Sequence, residues 1–260
     1  MNDLQLHYGE YAHIAMSRTD GVLEMRFHTD DGPLVWSRSA HTELTKAFVA
    51  VAADYENKVV ILTGTGDAYC EYLDHASFEN ATATPLDWSR IERDGIVRMR
   101  SILDIPCPVI AAINGPARVH AEMALLSDIV LASTNAVFQD KPHFPNGVVP
   151  GDGVHVVWPL LLGMNRGRYF LLTGQELSAQ EALDLGVVSE ILPADRLLGR
   201  ARELAHELAS RPTLTLQQTR RCLTHELKRL MREHLEYGLA LEGLGSVQLG
   251  NWRMNADTQG

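Results

Sequence analysis

A histidine set between two prolines is the residue of this chain best placed to do chemistry. In Lys141-Pro142-His143-Phe144-Pro145 the prolines stiffen the loop, and Asp152 follows nine positions on, after the turn at Pro150-Gly151. An imidazole can take a proton from water near neutral pH, and a carboxylate accepting its other ring N–H fixes the tautomer and stabilises the imidazolium. Such a pair is the last two-thirds of a Ser-His-Asp triad with water in place of the serine. Spacing alone leaves a plainer reading open, because the chain has 11 histidines and a loop histidine is more often a surface or core residue.

Those residues need a scaffold. The chain has 260 residues, 45% hydrophobic and 22% charged, which is enough apolar content for one large domain or a domain with a helical extension. With 23 Lys+Arg against 33 Asp+Glu the formal charge is −10 and the pI about 5.5, which disfavours nucleic acid or an anionic membrane as principal partner. Three scattered cysteines, Cys70, Cys107 and Cys222, fit reduced thiols in a cytoplasm and form no metal-ligand spacing. The first residues lack a basic stretch and apolar run, so export is not expected, and no segment is apolar enough to span a bilayer.

Residues 11–28 alternate in character about Arg18-Thr19-Asp20-Gly21 and read as a β-hairpin. Helical spacing of Leu44, Phe48 and Val51 within residues 39–54 feeds the buried strand Val59-Val60-Ile61-Leu62. A helix over 89–104 ends before Pro106 and Pro108, Val109 to Ile113 is a second buried strand, and Ile129 to Ala132 a third. From about residue 152 helices dominate. This rhythm predicts an α/β core, with active-site loops after Gly64, Gly115 and Phe138.

Four stretches together resemble the crotonase (enoyl-CoA hydratase/isomerase) superfamily: Lys58 to Gly64 with Asp67-Ala68-Tyr69-Cys70, Val109 to Gly115, Gly147 to Gly151, and Leu172-Thr173-Gly174 through Ser178-Ala179-Gln180-Glu181-Ala182 to Val188. The resemblance implies a repeated ββα spiral core over residues 1–200 and a C-terminal helical trimerisation region over 201–260, giving a homotrimer or a dimer of trimers. It also marks departures. Ordinary members present backbone N–H groups from two small, glycine-rich loops to a thioester oxygen. Here those loops carry Glu71-Tyr72 and Val119-His120-Ala121, whose side chains would crowd a coenzyme A thioester, and the two hydratase glutamates align with Met123 and His143.

The replacement set is similar to the β-diketone hydrolase branch typified by 6-oxocamphor hydrolase, whose members cleave a carbon–carbon bond between two carbonyls by a retro-Claisen reaction without coenzyme A or any other cofactor. That resemblance assigns water activation to His143 and Asp152. It gives His120, after Asn114-Gly115-Pro116, and Trp36, in Leu34-Val35-Trp36-Ser37 followed by His41, to the carbonyl that becomes an enolate, and it makes Glu242 a further active-site acid. Trp36 could instead be a core aromatic, His120 a solvent-exposed helix start and Glu242 a solvated helix charge. Two rival functions remain at this level, a rebuilt acyl-CoA or enoyl-CoA hydrolase or lyase, and a catalytically silent scaffold subunit.

Overall fold

The computed structural model describes Tyr8, residues 10–78 and residues 84–257, with side chains to residue 246. Residues 1–4, considered above for an export signal, lie outside the described residues.

A six-stranded sheet forms the frame. β1 (Ile14–Thr19) and β2 (Val22–Phe27) pair antiparallel across the expected turn, and β4 (Val59–Gly64), β6 (Val109–Ile113), β7 (Ile129–Ser133) and β10 (Glu190–Leu192) continue it in the order β1-β2-β4-β6-β7-β10, parallel from β2 onward. β4 and β6 are buried at every position, as strands covered on both faces must be, which is why they read as unbroken apolar runs. On one face lies α7 (Ala194–Ala209), whose Leu197, Ala201 and Ala205 meet Val59, Ile61 and Ile110. The opposite face is covered by the larger core.

A second, smaller sheet positions the chemistry. β3 (Leu34–Trp36) pairs with β5 (Cys70–Leu73), isolated bridges join Cys70 to Ala117 and Ala117 to Phe138, and β8 (Val137–Phe138) pairs with β9 (Leu177–Ser178). Each turn of the chain thus adds one strand to the main sheet and one to the small sheet before a helix returns: α1 (Arg38–Ala53), α2 (Pro85–Asp104) and the short α3 (Ala121–Leu125). This is the crotonase-like ββα spiral. Two further helices, α4 (Val154–Leu162) and α5 (Met164–Thr173), then α6 (Ala179–Asp184), lead to α7, α8 (Thr213–Leu223) and the long α9 (His225–Asp257). Ser178 opens α6 with a full capping box to Glu181, as the Ser-x-x-Glu spacing requires.

The loops after β4 and β6 are fastened to one another. The side chain of Asn114 accepts from the N–H of Gly64 and donates to the carbonyls of Gly66 and Ala68. A Cβ on Gly115 would fall 1.8 Å from the carbonyl oxygen of Asp67, so only glycine permits this approach.

Candidate active site

The small sheet delivers its residues to one place. Trp36 ends β3, His120 stands three residues beyond the Ala117 bridge, and Asp140 and His143 follow β8. Asp152 lies on the turn before α4, and Glu242 comes from α9. Together with Phe78, Trp88, Ile91, Arg98 and Leu239, the side chains of Trp36, His120, His143, Asp152 and Glu242 line one cavity of about 440 Å³. All five residues placed by sequence therefore share a wall of the same chamber, and Trp36, His143, Asp152 and Glu242 are buried.

His143 is held from behind. Its Nδ1 is 2.6 Å from Oδ1 of Asp140, while Nε2 faces Asp152 Oδ1 at 3.5 Å and Glu242 Oε1 at 4.0 Å. The sequence reading places Asp152 behind the ring; the carboxylate at Nδ1 is instead Asp140, three residues away, and Asp152 lies at Nε2. Burial alone would depress the histidine, but Asp152, Asp140 and Glu242 outweigh it and hold His143 well above its ordinary pKa.

His120 occupies the left-handed region, with φ 51° and ψ 39°, as the residue capping α3. A side chain there costs on the order of 1–3 kcal/mol of backbone strain, which the surrounding contacts must offset. Those contacts are specific. Nδ1 of His120 is 2.9 Å from Oε1 of Glu122 and 2.9 Å from Oδ2 of Asp152, with its N–H directed at Glu122. The ring lies against Trp36 with centroids 4.1 Å apart. Despite burial, Glu122 and Asp152 push His120 up to about 9, so it is an imidazolium at neutral pH. Glu122 was not foreseen; a carboxylate does remain on α3, beside Met123, but it is engaged by His120 rather than free to act on a substrate.

The remaining charges follow from these two. Burial would raise Asp152, yet His143, His120 and Arg98 hold it far below the usual carboxylate range. Both its oxygens are nonetheless buried without a directed hydrogen-bond donor, as is Oε2 of Glu242. Burial and the neighbouring Asp152 push Glu242 up to about 8, so it carries a proton at neutral pH. His41 lies edge-on to Trp36 and is driven down to about 3 by burial and by Arg98, which leaves it neutral.

Two trios, His120, Glu122 and Asp152 and His143, Asp152 and Glu242, have ligand-type atoms within 4.8 Å of one another. In the first, the nitrogen a metal ion would need already donates to Glu122. The set is better matched to moving protons than to holding a cation.

Backbone hydrogen bonds tie the two family loops to each other just ahead of Glu71 and His120. The N–H groups of Tyr69 and Cys70 donate to Pro116, and those of Arg118 and Val119 donate to Cys70. Arg118 further bridges Glu71 and Glu176.

Residues 17–242 match the family model for enoyl-CoA hydratase/isomerase. The chain belongs to that family. Among solved structures it is similar to a β-diketone hydrolase from the cyanobacterium Anabaena sp. PCC 7120, bound to (S)-3-oxocyclohexyl acetic acid, at 47% identity and TM-score 0.91, covering 94% of this chain and 97% of that one. An enoyl-CoA hydratase/isomerase from Mycobacterium paratuberculosis superposes with TM-score 0.86 at 26% identity, covering 92% and 96%. A probable enoyl-CoA hydratase of Mycobacterium bovis is 31% identical over 250 residues, 92% of this chain and 81% of its own. Among the described residues no helix is long and apolar enough to cross a membrane.

Proposed function

We propose that this member of the family is a cofactor-independent hydrolase that cleaves the carbon–carbon bond of a cyclic 1,3-diketone to a keto acid. The observation that supports the reading is a pair of differently held histidines on one cavity, both beside Asp152, to which we assign water activation and carbonyl holding in turn. At the first, His143 is oriented by Asp140 and looks toward Oδ1 of Asp152. At the second, a cationic His120 is clamped beside Trp36.

A water held in the cavity on Nε2 of His143, beside Asp152, would lose its proton to the imidazole as it attacks one ketone. Collapse of the tetrahedral adduct breaks the bond to the α-carbon, and the electron pair becomes an enolate. The ring N–H of His120 that is not bound to Glu122 and the indole N–H of Trp36 hold the enolate oxygen. The proton taken from water, or the one on Glu242, then goes to the α-carbon. A positioned base contributes typically about 10²–10⁴ and one aimed donor about 10²–10³, sufficient for turnover without a cofactor.

The ligand of the Anabaena enzyme suggests a substrate class. Joining the carboxyl carbon of 3-oxocyclohexyl acetic acid to the ring carbon on the far side of its ketone, with loss of water, gives a bridged bicyclooctanedione. Its α-carbon is a bridgehead and resists enolisation, which leaves both ketones open to attack. The test is hydrolysis of that dione, followed by loss of its absorbance and by incorporation of one ¹⁸O from labelled water into the acid.

The second reading, an acyl-CoA enzyme, draws on the curated relatives, which include carnitinyl-CoA dehydratase of Proteus mirabilis, 30% identical over 197 residues, 75% of this chain and 74% of its own. The side chains of Glu71 and Tyr72 in the first loop, the former paired with Arg118, and of His120 in the second, paired with Glu122, oppose it. Micromolar binding of acetyl-CoA or crotonyl-CoA by calorimetry would reverse the ranking.

A further inference from the structure

Helix α2 buries Ile91, Gly95, Arg98, Met99 and Ile102 on one stripe. Arginine is the exception on that stripe. Arg98 is 1% exposed, lines the cavity, and lies with Cζ 4.9 Å from the centre of the Trp36 ring. Its Nε and one terminal nitrogen are buried without a hydrogen-bond partner, and among the described residues no carboxylate stands within ion-pair distance of it.

Arg220 shows what a purely structural buried arginine looks like in the same molecule. It is 2% exposed, and its guanidinium is spent on Asp128 at 2.7 Å and on the carbonyls of Leu103, Ile105 and Ile102 that end α2. A buried guanidinium lacking such partners is expensive to keep, because its water has been removed and nothing has replaced it. Its cation–π contact with Trp36 covers the flat face but leaves the N–H edge unsatisfied. A guanidinium N–H is a charged donor, which suits a carboxylate or an oxyanion better than a neutral ketone.

We propose that Arg98 receives the oxygen of the ketone that water attacks, holding it first as the tetrahedral oxyanion and then as the carboxylate of the product. The assignment rests on the diketone reading above and deepens it by giving each carbonyl its own holder. As the water oxygen bonds to carbon and its proton passes to His143, the carbonyl electron pair moves onto oxygen beside Arg98. When the carbon–carbon bond breaks, that pair returns to re-form the carbonyl of the acid, and the bond pair leaves toward the enolate held by His120. The added proton ends on the α-carbon, and the acid ionises against the guanidinium. Water is the sole co-reactant.

The experiment compares wild type with Arg98→Met and Arg98→Gln, using 3-oxocyclohexyl acetic acid, ionised at neutral pH, and its neutral methyl ester as calorimetric probes. Wild type is expected to prefer the acid. In the variants acid affinity should fall about 10–100-fold while ester affinity moves less than about threefold, as for loss of a charged hydrogen bond. kcat on the bicyclic dione should fall about 10²–10³-fold. Melting temperature is read beside these as the check that each variant folds, because Arg98 also faces the charges of Asp152 and Glu122. Arg98→Lys should restore part of the acid preference. A folded variant of either kind that keeps the wild-type preference for acid over ester overturns the proposal while leaving the diketone reading intact. Wild type binding neither probe, with no hydrolysis of the dione, overturns both.

Discussion

Oδ1 of Asp140 lies 2.6 Å from Nδ1 of His143, and the opposite nitrogen of that ring is the one turned toward Asp152 and Glu242. The imidazole is thus fixed in tautomer by a residue in its own loop, and its free nitrogen is committed to the chamber.

Asp140→Asn is expected to reduce kcat by about 10²–10⁴, because an amide can present the wrong partner to Nδ1. It should also move the pH profile. In the proposed mechanism neutral His143 activates water, so its raised pKa should place the ascending limb of kcat above the ordinary histidine range. Removing one of the anions that raise it shifts that limb to lower pH. An ascending limb unmoved by the substitution would detach Asp140 from His143.

His143→Ala should nearly abolish turnover, and Asp152→Asn should come close to it by removing the carboxylate that faces both Nε2 and the attacking water. Their double variant should be little worse than either single, as residues acting in one step are not additive. Losses that simply multiply would separate the two roles.

His120→Ala should lower both binding and kcat, the latter by about 10–10³, with Trp36 remaining as a donor. Because the cationic ring is needed, activity should decline as pH rises past about 9. A variant equal to wild type in kcat and KM would leave the enolate without its holder.

Glu242, pushed up to about 8, is protonated at neutral pH. Glu242→Gln keeps a donor and should retain most activity, whereas Glu242→Ala should not. Its folded pKa exceeds the unfolded one, so the stability it confers is complete at acid pH and is lost as pH rises through about 8. The Gln variant should therefore gain on wild type in melting temperature as pH rises from the ordinary carboxylate range to about 8 and hold that gain above it, and parallel curves from pH 5 to 9 would contradict the shift.

Gly151→Ala should destabilise the fold by about 1–3 kcal/mol or more, measured by denaturant titration, since its Cβ would fall 2.1 Å from the carbonyl oxygen of Gly238 and 2.8 Å from Cβ of Glu242. Activity should fall with it, because the turn bearing Asp152 and the helix bearing Glu242 would be pushed apart. Exposed Leu214, Leu223, Tyr237 and Leu244 on α8 and α9 motivate a last expectation, that light scattering finds a trimer or its multiple.

Much of this was legible in the chain. The run Val109 to Ile113, closed by Pro108 and Asn114-Gly115, is a strand with those bounds because an unbroken apolar stretch between punctuating residues has few other fates. His120, His143 and Asp152 from loops, Trp36 from the end of β3 and Glu242 from α9 meet on one cavity. Asp140, Glu122 and Arg98 were not found. An aspartate three residues before a histidine and a glutamate two residues after one are commonplace spacings, and an arginine among Arg90, Arg93 and Arg100 reads as a solvated helix charge. What set Arg98 apart was its register with Ile91, Gly95 and Ile102, an inward position that the helix period assigns to an apolar side chain.

The small sheet that runs β3, β5, Ala117, β8 acts as a ruler. Neighbouring strands are locked at about 4.8 Å by their backbone hydrogen bonds, so the span from the strand that ends in Trp36 to the one that leads to Asp140 is counted in whole steps. The gap between the two carbonyls of any ligand must be compatible with that graduated scale. Selection can exchange the side chains at each mark and so rewrite the reaction, but it cannot stretch the interval without re-registering the strands themselves.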